Sequence, residues 1–182
     1  LLVDLARDGL VSVNLSITSM DHRLSRNMEP RASSPARRLD ALRLLSEAGI
    51  PTGVLAAPMI PAINDMELER ILDAAAAQGA ITAGFIMLRL PGEVKDIFRE
   101  WLLRHYPDRV SHVLNLVRDM RGGKENDPRF GSRMKGDGAY ATIMRQRFEK
   151  AAARYGLDQK KPALRLDHFR KPSPDDLQME LF

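Results

Sequence analysis

The 182-residue sequence has no cysteine. A disulfide-stapled scaffold, a Cys-ligated zinc finger, a thiol nucleophile and a self-contained iron–sulfur site are therefore excluded from this chain. An initiator methionine is also missing. Leu1 opens directly on an amphipathic pattern (Leu1, Leu2, Leu5) that stops at Gly9, so we expect the C-terminal piece of a longer protein. These first residues carry Asp4, Arg7 and Asp8, and their apolar run is too short for a signal peptide. The most apolar stretch, 50–63, is interrupted by Pro51, Pro58 and Pro61, so no membrane span is expected and a cytoplasmic location is. Metal-ligand spacing is lacking too: His22, His105, His112 and His168 share no single helix, Pro107 separating the middle pair. Gly123-Lys124 is followed by Glu125 and is no P-loop, and Gly136 to Ala141 fits G-x-G-x-x-A without a preceding strand.

What is present reads as one globular domain: 44% hydrophobic, 29% charged, with a net charge of +4 that permits an acidic partner without requiring one. Strict alternation from Val11 to Thr18 predicts a strand. Ser34 as N-cap with Pro35 behind it opens a helix whose stripe is Leu39, Leu42, Leu45 and Ala48, closed by Gly49. A smaller-residue strand follows over 52–57. Asn64 with Glu67 three residues on resembles a capping box for a helix carrying Leu68, Ile71, Leu72 and Ala75. The run 81–90 is apolar almost throughout, as buried parallel strands are, and Val94, Ile97, Phe98, Trp101 and Leu102 mark the next helix. Three βα units of 35 to 40 residues indicate α/β with a parallel sheet, too few units to close a barrel. We divide the chain into a barrel half (1–106), a helical basic extension (107–158) and a flexible tail (159–182). Within 118–154 ten Lys/Arg stand against five acids, so the positive charge is concentrated there and suits a phosphate backbone, or simply a solvated face.

Two strands carry polar side chains where chemistry is placed in βα-barrels. Ser12, Asn14, Ser16 and Thr18 share one face of the first strand, which points either into a barrel or, on an edge strand, to water. Arg89 interrupts the apolar third strand near its C-terminal end and needs an anion, from the protein or from a ligand. The long connection 21–34, with Arg23, Arg26, Glu29 and Arg31, is placed to cover a site.

The series 16–21, 28–31, 38–53 and 57–65 resembles the second half of a radical S-adenosylmethionine (SAM) core, within the branch related to spore photoproduct lyase, the DNA repair photolyase-like proteins. The resemblance covers about residues 1–105. It implies strands four to six of a partial (β/α)6 TIM-like barrel with a C-terminal helical extension. It further implies an enzyme that reductively cleaves SAM to a 5′-deoxyadenosyl radical with an electron from a 4Fe–4S cluster fed by an electron donor. The cluster's Cys-x-x-x-Cys-x-x-Cys loop would lie in a missing N-terminal half, leaving this part inactive alone. By the resemblance, Arg38 pairs with the methionyl carboxylate of SAM, Ser16 and Thr18 bond its ribose or amino acid groups, and residues 58–60 and 85–87 (Pro58, Ile60, Phe85 and Met87 among them) line the adenine, with Arg89 nearby. Spore photoproduct lyase uses a C-terminal cysteine as hydrogen donor, which this chain lacks, so its substrate stays open, with DNA or another nucleic acid as the implied class. Separately, Gln178, Leu181 and Phe182 resemble the Gln-x-x-Leu-Phe peptide that binds the bacterial sliding clamp. A non-catalytic DNA-associated module tethered to that clamp is accordingly the alternative reading.

Overall fold

The computed structural model describes residues 1–159 and 162–167. The clamp-type residues Gln178, Leu181 and Phe182 lie outside the described residues. A short helix α1 (Leu2–Arg7) leads into strand β1 (Val13–Ile17), followed by α2 (His22–Met28), α3 (Pro35–Glu47), β2 (Thr52–Met59), α4 (Leu68–Ala77) and β3 (Thr82–Met87). Helices α5 (Val94–His105), α6 (Val110–Asp119), α7 (Ser132–Lys135) and α8 (Gly138–Arg154) complete the order. The strands form a parallel sheet in the order β1-β2-β3.

Register and burial separate the two faces of this sheet. Leu15 lies opposite Val54 and Ile17 opposite Ala56, and these in turn meet Ala83 and Phe85. That face is packed by Leu42 of α3, by Leu68, Ile71, Leu72 and Ala75 of α4, and by Met144, Ala151 and Ala152 of α8. Both crossover helices cover the same face while the strand order simply advances. This arrangement is compatible with part of an α/β barrel. The opposite face carries the rows Asn14–Gly53–Thr82 and Ser16–Leu55–Gly84, in which Asn14 and Ser16 are exposed. Gly53 is required there: a Cβ would fall 2.3 Å from Asn14 Oδ1 and 2.4 Å from Thr82 Oγ1.

A second apolar cluster sits beyond the C-terminal ends of β2 and β3. Leu24 of α2, Ile60, Ile63, Leu88, Leu90, Phe98 and Leu102 of α5, and Val113, Leu114 and Val117 of α6 form it. At the other end of the sheet, Leu157 and Asp158 pair with the start of β3, and the Arg165 amide donates to the Gly9 carbonyl.

Three expectations are corrected. The connection 21–34 is not plain loop but contains α2, capped by the Asp21 carboxylate, which accepts from the amides of Arg23 and Leu24. The segment 121–138, whose Gly- and Arg-rich composition predicts a loop, contains α7. Asn64 stands at the N-cap of the 3-10 turn Asp65–Glu67 that leads into α4, but its side chain makes no capping bond. It is fully buried; its Oδ1 accepts from the Ile60 amide (2.6 Å), and its Nδ2 donates to the carbonyls of Thr18 (2.6 Å) and Pro58 (2.9 Å). Burial of the Asn64 side chain makes internal partners for its amide obligatory. Ser34 does cap α3, with Pro35 at its first turn.

Candidate functional site

In parallel sheets the C-terminal strand ends gather the loops that hold ligands. At the end of β1, the Arg38 guanidinium of α3 reaches back over the strand. Its Nη1 donates to the Ser16 carbonyl (2.8 Å), its Nε to the Ser33 carbonyl (3.0 Å) and its Nη2 to Glu29 Oε2 (3.0 Å). Arg38 is 16% exposed and Glu29 32%, a half-buried ion pair at the mouth of the sheet. The buried Thr18 hydroxyl lies 3.1 Å from the same Glu29 oxygen and 3.0 Å from the Ala57 carbonyl. One turn further, Glu67 accepts from the Ser19 hydroxyl and the Met20 amide, both at 2.7 Å. The carboxylates of Glu29 and Glu67 thus fix the chain as it leaves β1, and the Trp101 indole N–H holds the α2 segment through the Asn27 carbonyl (3.1 Å).

At the end of β3 the arrangement is different. Arg121, 2% exposed, donates to four carbonyls: Met87 (3.5 Å), Leu88 (2.8 Å), Ser132 (3.1 Å) and Arg133 (2.9 Å). It fastens the first turn of α7 to the end of the strand. Burial lowers its pKa, Asp127 acts against this, and the neighbouring charge of Arg89 lowers it further. Arg89 touches only the Met134 sulfur, at 3.8 Å, and among the described residues no carboxylate pairs with it. Asp127, before α7, accepts from Arg129 and from the Ser132 hydroxyl (2.7 Å), which hold its carboxyl well below the usual range.

The sequence-selected residues are thereby sorted. Ser16, Thr18 and Arg38 lie together at one strand end; alternation alone singles out Ser16 and Thr18, whereas Arg38 enters only through the resemblance. Pro58 is half-buried beside Ala57, while Ile60 is fully buried in the second apolar cluster. Phe85 and Met87 turn their side chains into the helix-packed core, where Phe85 meets Phe148 at 4.9 Å between ring centroids. Ile86 between them is the side chain on the uncovered face. Glu29, Glu67, Asn64 and Arg121 were not singled out as site residues. For Glu29 a signal existed: an acid in a long strand-end connection, nine residues before an arginine that opens a helix.

The uncovered row with exposed Ser16, beside a partly exposed guanidinium, fits a ligand with a carboxylate and hydroxyls such as SAM, with Glu29 as the group its carboxylate must join or displace. An iron–sulfur cluster does not fit residues of this chain: there is no cysteine, and among the described residues no group of three or more His, Asp or Glu is placed to hold a metal. Among the described residues, no helix is long and apolar enough to cross a membrane.

No solved structure matches. Uncharacterized proteins of Mycobacterium tuberculosis and Mycobacterium bovis are 32% identical over 120 residues, 65% of this chain and 35% of theirs. The chain thus spans about a third of the length of the curated relatives it matches. Residues 1–75, which hold β1, β2, Ser16, Thr18, Glu29, Arg38 and Asn64, match the family model of the radical SAM superfamily.

Proposed function

We propose that this chain is the SAM-supporting half of a radical SAM enzyme, contributing strands four to six of a partial (β/α)6 barrel. The observation that carries the reading is the uncovered polar row of β1 ending on Arg38, inside the region that matches the superfamily. When bound, SAM would supply hydrogen-abstracting radical chemistry, given an electron from a 4Fe–4S cluster ligated outside this chain. The residues here have simpler tasks. Arg38 offers a guanidinium to the methionyl carboxylate, and its bonds to the Ser16 and Ser33 carbonyls hold it in place for that contact. The Ser16 hydroxyl stands free to bond a ribose or amino group. Leu24, Ile60 and Leu88, in the apolar cluster beyond the strands, keep water from that side of the ligand.

The substrate class we propose is nucleic acid, in line with the resemblance to the photolyase-like branch. Support comes from the extension: Lys135, Arg145, Lys150 and Arg154 have no carboxylate partner among the described residues, whereas Arg118, Arg129 and Arg147 are paired with acids. The test is calorimetric titration of SAM into the intact cluster-containing protein. Arg38→Ala should weaken binding at least about tenfold, as loss of a charge-assisted bond predicts. An unchanged dissociation constant would remove Arg38 from the reading.

A further inference from the structure

We propose that Arg89, backed by the charge of the buried Arg121 at the C-terminal end of β3, forms a phosphate-binding site separate from the Arg38 cluster. A buried or half-buried guanidinium ordinarily meets a carboxylate, because an uncompensated charge in low dielectric is costly. Here two neighbouring guanidinium groups meet none. Arg121 is bonded to carbonyls alone, and Arg89 to a thioether, a weak acceptor. The Nε–H of each is buried without a partner, and Arg89 as a whole is only partly buried. The two belong to one unit, since Arg121 bonds the Leu88 carbonyl immediately before Arg89. A third guanidinium, Arg133, lies next in sequence to Met134, the Arg89 contact, and rests 5.0 Å over the ring of Phe130.

The acids that might neutralise this group are engaged elsewhere. Asp127 is held by Arg129 and Ser132, and Asp137 lies 3.3 Å from Arg129. The pKa of Arg121 is lowered chiefly by burial, with Asp127 acting against this and the charge of Arg89 adding to it. A carboxylate would bring one negative charge to this place. A phosphate ester brings up to two, with oxygens spaced for the planar fork of an arginine. Two adjacent unpaired cations therefore favour phosphate. Arg89, which the resemblance grouped with the cofactor, is assigned here to the phosphate.

The test titrates the 182-residue chain with inorganic phosphate and, separately, with L-methionine as a carboxylate probe, at constant ionic strength. Phosphate should bind saturably. Arg89→Gln should weaken it at least about tenfold, and Arg70→Gln, on the exposed side of α4, should leave it unchanged. Equal affinity in Arg89→Gln, equal weakening in Arg70→Gln, or Arg89-dependent binding of methionine but not phosphate would each overturn the proposal. If Arg89→Gln fails to fold, hydrogen exchange of the unaltered chain decides. Peptides covering 85–92 and 130–136 should exchange more slowly with phosphate present, and no slowing at saturation would overturn the site.

Discussion

The ends of β1 and β3 hold the same type of side chain in two opposite states. Arg38 at the first is bonded to a carboxylate and two carbonyls, while Arg89 at the third finds one sulfur atom. The cause is the length of chain that follows each strand. Residues 18–34 are enough to form α2 and turn back, which delivers Glu29 onto the strand end. Residues 88–93 run almost directly into α5, and the acid they contain, Glu93, is exposed at the helix start. A long connection lets a protein fill its own strand end. A short one leaves the cation for something else.

The largest effect should come from opening the filled end. Asn64→Ala would strip partners from the Ile60 amide and the Thr18 and Pro58 carbonyls at once, in a fully buried place. Each unsatisfied buried group costs about 1–3 kcal/mol, so a loss of about 3–5 kcal/mol is expected. A urea midpoint that falls with unchanged m would show it. A loss below about 1 kcal/mol would mean that the β1 end is not rigidly built, and the contrast with β3 would collapse.

Asn64 also marks where sequence reading stops. Strand and helix identities were legible because they depend on local periodicity: alternation over 11–18, Ser34-Pro35, and the stripe Leu68, Ile71, Leu72, Ala75. The uncovered polar face was legible for the same reason. Asn64 and Glu67 were misread as a helix cap because their spacing satisfies that local rule. Beside Ile60 and Pro58 nearby, their side chains bond Thr18, Ser19 and Met20, more than forty residues away. Phe85 and Met87 were placed near the ligand as part of a segment, whereas the two-residue period of the strand puts both in the core and leaves Ile86 on the open face. Arg121 gave no periodic signal at all, since its four partners are carbonyls and carbonyls carry no sequence signature.

A smaller change should make the first strand end behave like the third. Glu29→Gln keeps the size and the acceptor for Thr18 but removes the charge facing Arg38. For a pair this exposed the stability loss should be about 1 kcal/mol. The more telling readout is affinity for a carboxylate ligand. With its internal competitor neutralised, Arg38 should bind L-methionine at least about threefold more tightly. Unchanged affinity would mean that Glu29 and the ligand do not share the guanidinium.

The smallest expected effect is the reverse experiment, giving β3 the carboxylate that β1 already has. Met134 lies against Arg89, and Met134→Glu conserves side-chain length while placing an acid near the unpaired guanidinium. Stability at pH 7 should rise by no more than about 0.5–1 kcal/mol, the usual worth of a partly exposed pair. The sign with pH is fixed by linkage. Arg89 would hold the introduced carboxyl below its unfolded pKa, so the gain is fully present above that value and disappears as pH falls through the folded one. Phosphate binding should vanish in the same variant, because the site would be filled from within. If stability rises and phosphate still binds with wild-type affinity, the ligand does not use Arg89, and the two strand ends differ only in how the fold neutralises them.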